Sequence, residues 1–168
     1  MKNVEFKAEL RDPALARAIA GTLGGRPVGM LDQTDTYFRV GRGRLKRRET
    51  VGEDTEWIQY LRPDASGARV SEYTVCGEEE ALERFGASPM PVWVVVRKRR
   101  ELLLIGNVRV HLDEVEGLGW FLEFEAMVRP GNPMERCEAR VRQLRGEFGP
   151  ALGEPISVGY ADLVAALD

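Results

Sequence analysis

The chain has 168 residues, with 24 Lys+Arg against 27 Asp+Glu and a formal charge of −3, a length that suits one domain spanning 1–168. Its 43% hydrophobic content excludes a disordered-type composition, and no run approaches the roughly 18–20 apolar residues of a membrane helix. MKNVEFKAEL lacks a signal-peptide core, the acidic balance disfavours a general nucleic-acid binder, and His111 as the sole histidine, with Cys76 and Cys137 far apart, excludes His-rich and zinc-type metal sites. A cytoplasmic setting is the expectation.

Taken in chain order, Val4–Leu10 alternates as a strand. A helix follows, with Asp12 as N-cap, Pro13 in its first turn, Leu15, Ile19 and Leu23 on one face, and Gly24-Gly25 as its stop. Thr34–Val40, Arg44–Glu49, Glu56–Arg62 and Ala68–Val75 read as strands, with a tight turn at Gly41–Gly43. A short helix is expected at Glu78–Phe85. Val92–Arg100, Leu102–Ile105, Asn107–Asp113 and Trp120–Val128 complete the strands. A third helix opens at Asn132-Pro133 with Cys137, Val141, Leu144 and Phe148 on one face, and Tyr160–Leu167 is the candidate for a last one. Strands at short spacing favour an antiparallel sheet or barrel with three to four helices around it, an α+β chain that is mainly antiparallel β.

Residues i and i+2 share a strand face, and this places the charges. Val4, Phe6, Ala8 and Leu10 oppose Glu5, Lys7 and Glu9; Val108, Val110 and Leu112 oppose Arg109, His111 and Asp113; Trp120, Leu122, Phe124 and Ala126 oppose Glu123 and Glu125. Arg42, Arg44, Lys46 and Arg48 share one face, as do Lys98 and Arg100, and as do Ile58, Tyr60 and Arg62. A charged strand face is ordinarily a solvated one. Against that, six of the ten residues from Arg39 to Arg48 are basic in an acidic chain, and like charges in a row repel unless anions balance them. Oxygen-only carboxylate groups suit a hard divalent cation, and cations beside such a group suit a polyphosphate. In that second reading the charged faces point inward and helices cover the apolar faces.

The segments Asn3-Val4-Glu5-Phe6-Lys7, Gln33 to Phe38, Arg44 to Glu49, Tyr60 to Asp64, Lys98-Arg99-Arg100 and Val108 to Glu125 resemble, in the same order, those of the CYTH superfamily, the triphosphate tunnel metalloenzymes. The tail GYADLV is similar to that of class IV adenylyl cyclase-like members. The resemblance implies an eight-stranded closed β-tunnel with a charged lumen for a triphosphate and Mg²⁺ or Mn²⁺. It assigns phosphate contacts to Lys7, Arg44, Lys46, Arg62, Lys98, Arg100 and Arg109, and metal ligation to Glu5, Asp113, Glu123 and Glu125. Lys7, Lys46, Arg62 and Glu123 form the expected catalytic group. Asn3 stands where the family's Glu-x-Glu-x-Lys motif has its first Glu, so one carboxylate is missing, and Glu9 is the candidate to compensate. Asp35 and Tyr37 suggest a turn or strand-pairing role, and His111 a hydrogen-bonded structural one.

The resemblance favours a cyclase-like activity, ATP to cyclic AMP and pyrophosphate, over hydrolysis of thiamine triphosphate or tripolyphosphate. A non-catalytic polyphosphate sensor and a nucleic-acid-binding barrel stand as further alternatives. The expected partner is a small triphosphate, with no nucleic acid or membrane; a homodimer is compatible.

Overall fold

A computed structural model describes residues 1–61 and 67–167. Nine strands occur: β1 (Lys2–Leu10), β2 (Arg26–Phe38), β3 (Arg44–Thr50), β4 (Glu56–Leu61), β5 (Arg69–Cys76), β6 (Val92–Ile105), β7 (Val108–Val115), β8 (Gly119–Met127) and β9 (Leu152–Pro155). The helices are α1 (Pro13–Thr22), α2 (Glu78–Phe85), α3 (Met134–Phe148) and α4 (Tyr160–Ala165). All pairings are antiparallel, in the order β5-β4-β3-β2-β6-β7-β8-β1-β9. Because β5 also pairs with β1, the first eight strands close into a barrel and β9 lies outside it. Among the described residues no helix is long and apolar enough to cross a membrane.

Local chemistry sets the ends. Asp12 caps α1, its Oδ1 accepting from Leu15 N at 3.0 Å, with Pro13 in the first turn. In the β3 approach, Gly43 has φ +72°, and a Cβ there would meet Tyr60 O at 2.7 Å, so only glycine fits this turn. Two strands run longer than their pattern suggests. The sequence reading starts β2 at Thr34, but pairing with β6 extends it back to Arg26 across an irregularity between Pro27 and Gly29, residues that mask a strand by propensity. Likewise Glu101 does not interrupt β6; it pairs with both Met30 and Leu112 and holds Arg17 at 2.8 Å. The short β9 has no sequence signature, and its pairing with Ala8 and Leu10 supplies it.

The apolar strand faces point out of the barrel. Val4, Phe6, Ala8, Val108, Val110, Leu112, Leu122, Phe124 and Ala126 are buried in one core with Ala16 and Ala20 of α1 and with Cys137, Val141, Leu144 and Phe148 of α3. Phe148 meets Phe124 edge-on at 5.2 Å. The helices therefore do for this barrel what a second sheet does for a sandwich. The opposite faces, carrying Glu5, Lys7, Lys98, Arg100, His111, Asp113 and Glu123, are buried too. They face the lumen.

One end of the lumen is filled. Tyr37, Val96, Val115 and Phe121 form a second core with Tyr160 and Ala161 of α4, joined by Leu163 and Val164. Arg44 of β3 holds Asp162 at 2.9 Å and lies 5.1 Å over the Trp93 ring. Both partners are partly exposed, so this pair contributes little; Asp162→Asn is expected to shift the unfolding midpoint in urea by less than the scatter of repeat titrations.

Candidate active site

Alternation on all eight barrel strands brings polar side chains to one cavity of about 380 Å³. Of the sequence-selected residues, Glu5, Lys7, Lys46, Lys98, Arg100, Arg109, Glu123 and Glu125 line it. Arg44 does not; it is engaged with Asp162 at the α4 end. Asp113 sits behind the wall, fully buried, with both carboxylate oxygens held by Arg100 at 2.7 Å. Arg62 lies outside the described residues. Glu9 also points elsewhere, its Oε2 accepting from Glu154 N on β9.

Three charge clusters organise the lumen. In the first, Asp35 accepts from Lys46 at 2.9 Å, Lys98 at 2.8 Å and, through both oxygens, Arg48 at 2.7 and 2.8 Å. In the second, Glu123 is shared by Lys7 (3.8 Å), Arg100 (3.4 Å) and His111 Nδ1 (3.4 Å), while Tyr160 Oη donates to Asp113 at 2.7 Å. Lys7 Nζ lies 3.8 Å over the Tyr160 ring. In the third, Glu5 pairs with Arg69 at 3.0 Å, and Glu125 with Asn3 Nδ2 at 2.5 Å and Arg109 at 3.7 Å. Within these three clusters, among the described residues, Lys7, Lys46, Arg48, Arg69, Lys98, Arg100 and Arg109 outnumber Glu5, Asp35, Asp113, Glu123 and Glu125. The clusters are thus short of negative charge, while the exposed Glu53 and Glu56 line the cavity outside them.

The titration behaviour follows. Burial works to raise Asp35, but Arg48, Lys46 and Lys98 outweigh it and hold the carboxyl well below its usual range. Burial likewise opposes ionisation of Glu123, and Lys7, His111 and Arg100 hold it low. Asp113, desolvated but gripped by Arg100, falls to about 2 from 3.8. Burial depresses Lys98 well below the ordinary lysine value, and takes Lys46, with Arg48 repelling it, down to about 8.

Two outcomes are expected. Asp113 has a depressed native pKa, so its stabilisation of about 2 kcal/mol is present above the unfolded pKa and lost as pH falls between about 4 and 2. Urea titrations over that range should show the loss, and Asp113→Asn should flatten this limb; equal slopes in both proteins would contradict it. Lys46 near 8 means that an anion seated beside it draws a proton onto the amine. At about pH 8, binding heats of tripolyphosphate should therefore differ between buffers of high and low ionisation enthalpy, and identical heats would count against Lys46 as a contact.

The sequence reading missed Asp35, Arg48, Arg69 and Tyr160 as lumen residues. Gln33, Asp35 and Tyr37 do share a face, and Arg48 does continue the Arg44–Lys46 row, so those two were accessible signals. Arg69 and Tyr160 carry none, because only the β5–β1 closure and the packing of α4 bring them in.

Among the described residues no three His, Cys, Asp or Glu side chains stand close enough to be a ready-made metal site. Yet Glu5 and Glu125 are cross-strand partners, and beside them Asn3 Oδ1 is buried with no hydrogen-bond partner while its amide nitrogen is given to Glu125. An orphaned oxygen next to two carboxylates fits a hard, oxygen-seeking cation, with Asn3, Glu5, Glu123 and Glu125 as the residues that would hold it.

A CYTH domain signature matches residues 1–149. The chain belongs to the CYTH family. Its barrel is similar to the PH1012 protein of Pyrococcus horikoshii OT3 (TM-score 0.76, 22% identity, covering 96% of this chain and 99% of that one). It is similar also to an adenylate cyclase candidate from Vibrio parahaemolyticus (0.73, 18%, 97% and 97%). A third similar structure is HpAC1 from Hippeastrum (0.68, 14%, 99% and 96%), described as having a dominant triphosphatase activity. At these identities the structures establish the fold. No curated protein matches the chain. As a CYTH protein it has the tunnel architecture anticipated from its motifs, and its inward charged faces settle the two readings of the alternation in favour of a lumen.

Proposed function

We propose that this CYTH protein is an enzyme that binds a triphosphate in the lumen, with Mg²⁺ or Mn²⁺, and breaks one of its phosphoanhydride bonds. The observation that carries the reading is the set of buried cations Lys7, Lys46, Lys98 and Arg100 lining one cavity of about 380 Å³. Burying ammonium and guanidinium groups costs several kcal/mol each unless anions compensate, and a triphosphate is the anion of matching charge. Lys46, Lys98 and Arg100 hold and orient the phosphates and neutralise charge developing on the leaving oxygens. A bound divalent ion supplies further charge neutralisation at the reacting phosphate.

In the cyclase-like form the ribose 3′-oxygen attacks the α-phosphorus, the bond to the β-phosphate oxygen breaks, and cyclic AMP and pyrophosphate leave. Hydrolysis is the second reading, and one observation favours it. Asp35, Asp113 and Glu123 are all held below the ordinary carboxylate range by their cations, which makes them weak bases for a hydroxyl proton. Attack by water through a loose transition state asks less of a base.

Product analysis decides between them. Purified protein is incubated with ATP, thiamine triphosphate or tripolyphosphate and either ion. Cyclic AMP with pyrophosphate identifies the cyclase, and orthophosphate the hydrolase. Absence of product from all three contradicts the enzyme reading.

A further inference from the structure

The phosphate wall is only part of the cavity. On β4 and β5, Ile58 pairs with Val75 and Tyr60 with Tyr73, so four apolar or aromatic side chains lie together on the luminal face, and all line the cavity. Among the described residues, β4 and β5 contribute no cation to that lining. A bare polyphosphate gains little from these four side chains: they carry no charge and no donors beyond the two tyrosine hydroxyls, and burying them against an anion costs desolvation.

A second observation fixes direction. Glu53 and Glu56 also line the cavity. Glu5, Glu123 and Glu125, the other lining carboxylates, each have a cation at 3.8 Å or closer. For Glu53 and Glu56 no cation lies within salt-bridge distance among the described residues. Both are exposed, near the turn joining β3 to β4, so this part of the cavity wall repels anions. The end beside Tyr37 and Tyr160 is filled by α4.

We infer that the cavity takes a triphosphate ester rather than inorganic polyphosphate. The phosphates lie on Lys46, Lys98 and Arg100, and a flat organic group lies against Ile58, Tyr73 and Val75 beneath Glu53 and Glu56. This rests on the triphosphate reading above and specifies its substrate class: a neutral or cationic ring is accepted, an anionic one rejected.

Calorimetric titration with tripolyphosphate, ATP and thiamine triphosphate, each with Mg²⁺, tests it. At least one ester should bind about tenfold or more tighter than tripolyphosphate, since stacking of a ring on an aromatic side chain contributes roughly 1–3 kcal/mol. Tyr73→Ala should weaken the ester by about tenfold while leaving tripolyphosphate affinity unchanged, which also shows that the variant is folded. Ile58→Ala should also weaken the ester selectively, without removing the Tyr73 ring or adding a charge opposite Lys46. Tripolyphosphate binding as tightly as both esters, or equal weakening of all ligands in both variants, overturns the inference and leaves the triphosphate site standing. No binding of any of the three, tripolyphosphate included, overturns both.

Discussion

Asp35→Asn is expected to cost about 3–5 kcal/mol of stability, the range for removing one partner of a buried ion pair, and to lower the melting temperature by roughly 10 °C for a chain of this size. The reason lies in the partners. Asp35 is fully buried and is the carboxylate that Lys46, Arg48 and Lys98 share. With asparagine in its place those cations keep their burial and repel one another, and the amide offers one neutral acceptor where the carboxylate offered two charged ones. The same physics makes the lesion ligand-dependent. A triphosphate in the lumen supplies the missing negative charge, so saturating tripolyphosphate should raise the variant's melting temperature by more than it raises the wild type's. Thermal unfolding with and without the anion checks both parts. A variant as stable as the wild type would show that Asp35 does not anchor this wall.

Lys98→Met is expected to behave in the opposite way. Its ammonium is buried, and burial depresses its pKa well below the ordinary lysine value, a sign that the charged form is held at a cost. Asp35 keeps Lys46 and a two-pronged Arg48 when Lys98 is gone, so no uncompensated carboxylate remains. The penalty of about 3–5 kcal/mol for stranding a buried charge therefore does not arise, and the desolvation cost of the Lys98 ammonium is removed. Triphosphate affinity should nevertheless fall by about 10- to 100-fold, the value of one charge-assisted hydrogen bond of roughly 1.5–3 kcal/mol. Unchanged or higher stability with weakened binding would mark Lys98 as a residue retained for the ligand. Lower stability with unchanged binding would make it structural only.

The barrel was legible because period-2 alternation survives whichever side of a sheet is buried. Val4, Phe6 and Ala8 against Glu5 and Lys7 define two faces with no knowledge of which one is inside. Direction needed something more. The concentration of cations between Arg39 and Arg48 and the apolar face of α3 at Cys137, Val141, Leu144 and Phe148 supplied it, since an outward apolar barrel face requires helices to cover it. What stayed hidden has a common physical cause. Arg26–Phe38 carries Pro27 and Gly29, and β9 is four residues long, so both are strands by pairing rather than by propensity. Tyr160 reaches the lumen from a helix distant in the chain, and the cations around Asp35 come from two strands far apart in sequence, β3 and β6, so neither spacing nor composition records them. Asp113 shows the complementary limit. Alternation puts it correctly on the luminal face, but it cannot tell a residue that meets the cavity from one locked behind Arg100.

A crystal structure of the protein soaked with tripolyphosphate and Mg²⁺ tests most directly whether the lumen is a triphosphate site. Density for the anion is expected inside the barrel, with phosphate oxygens within hydrogen-bond distance of Lys46, Lys98 and Arg100, and the pairs from Lys46 and Lys98 to Asp35 lengthened as the cations turn to the ligand. An anion bound only on the outer surface, with the luminal ion pairs as they stand here, would contradict it.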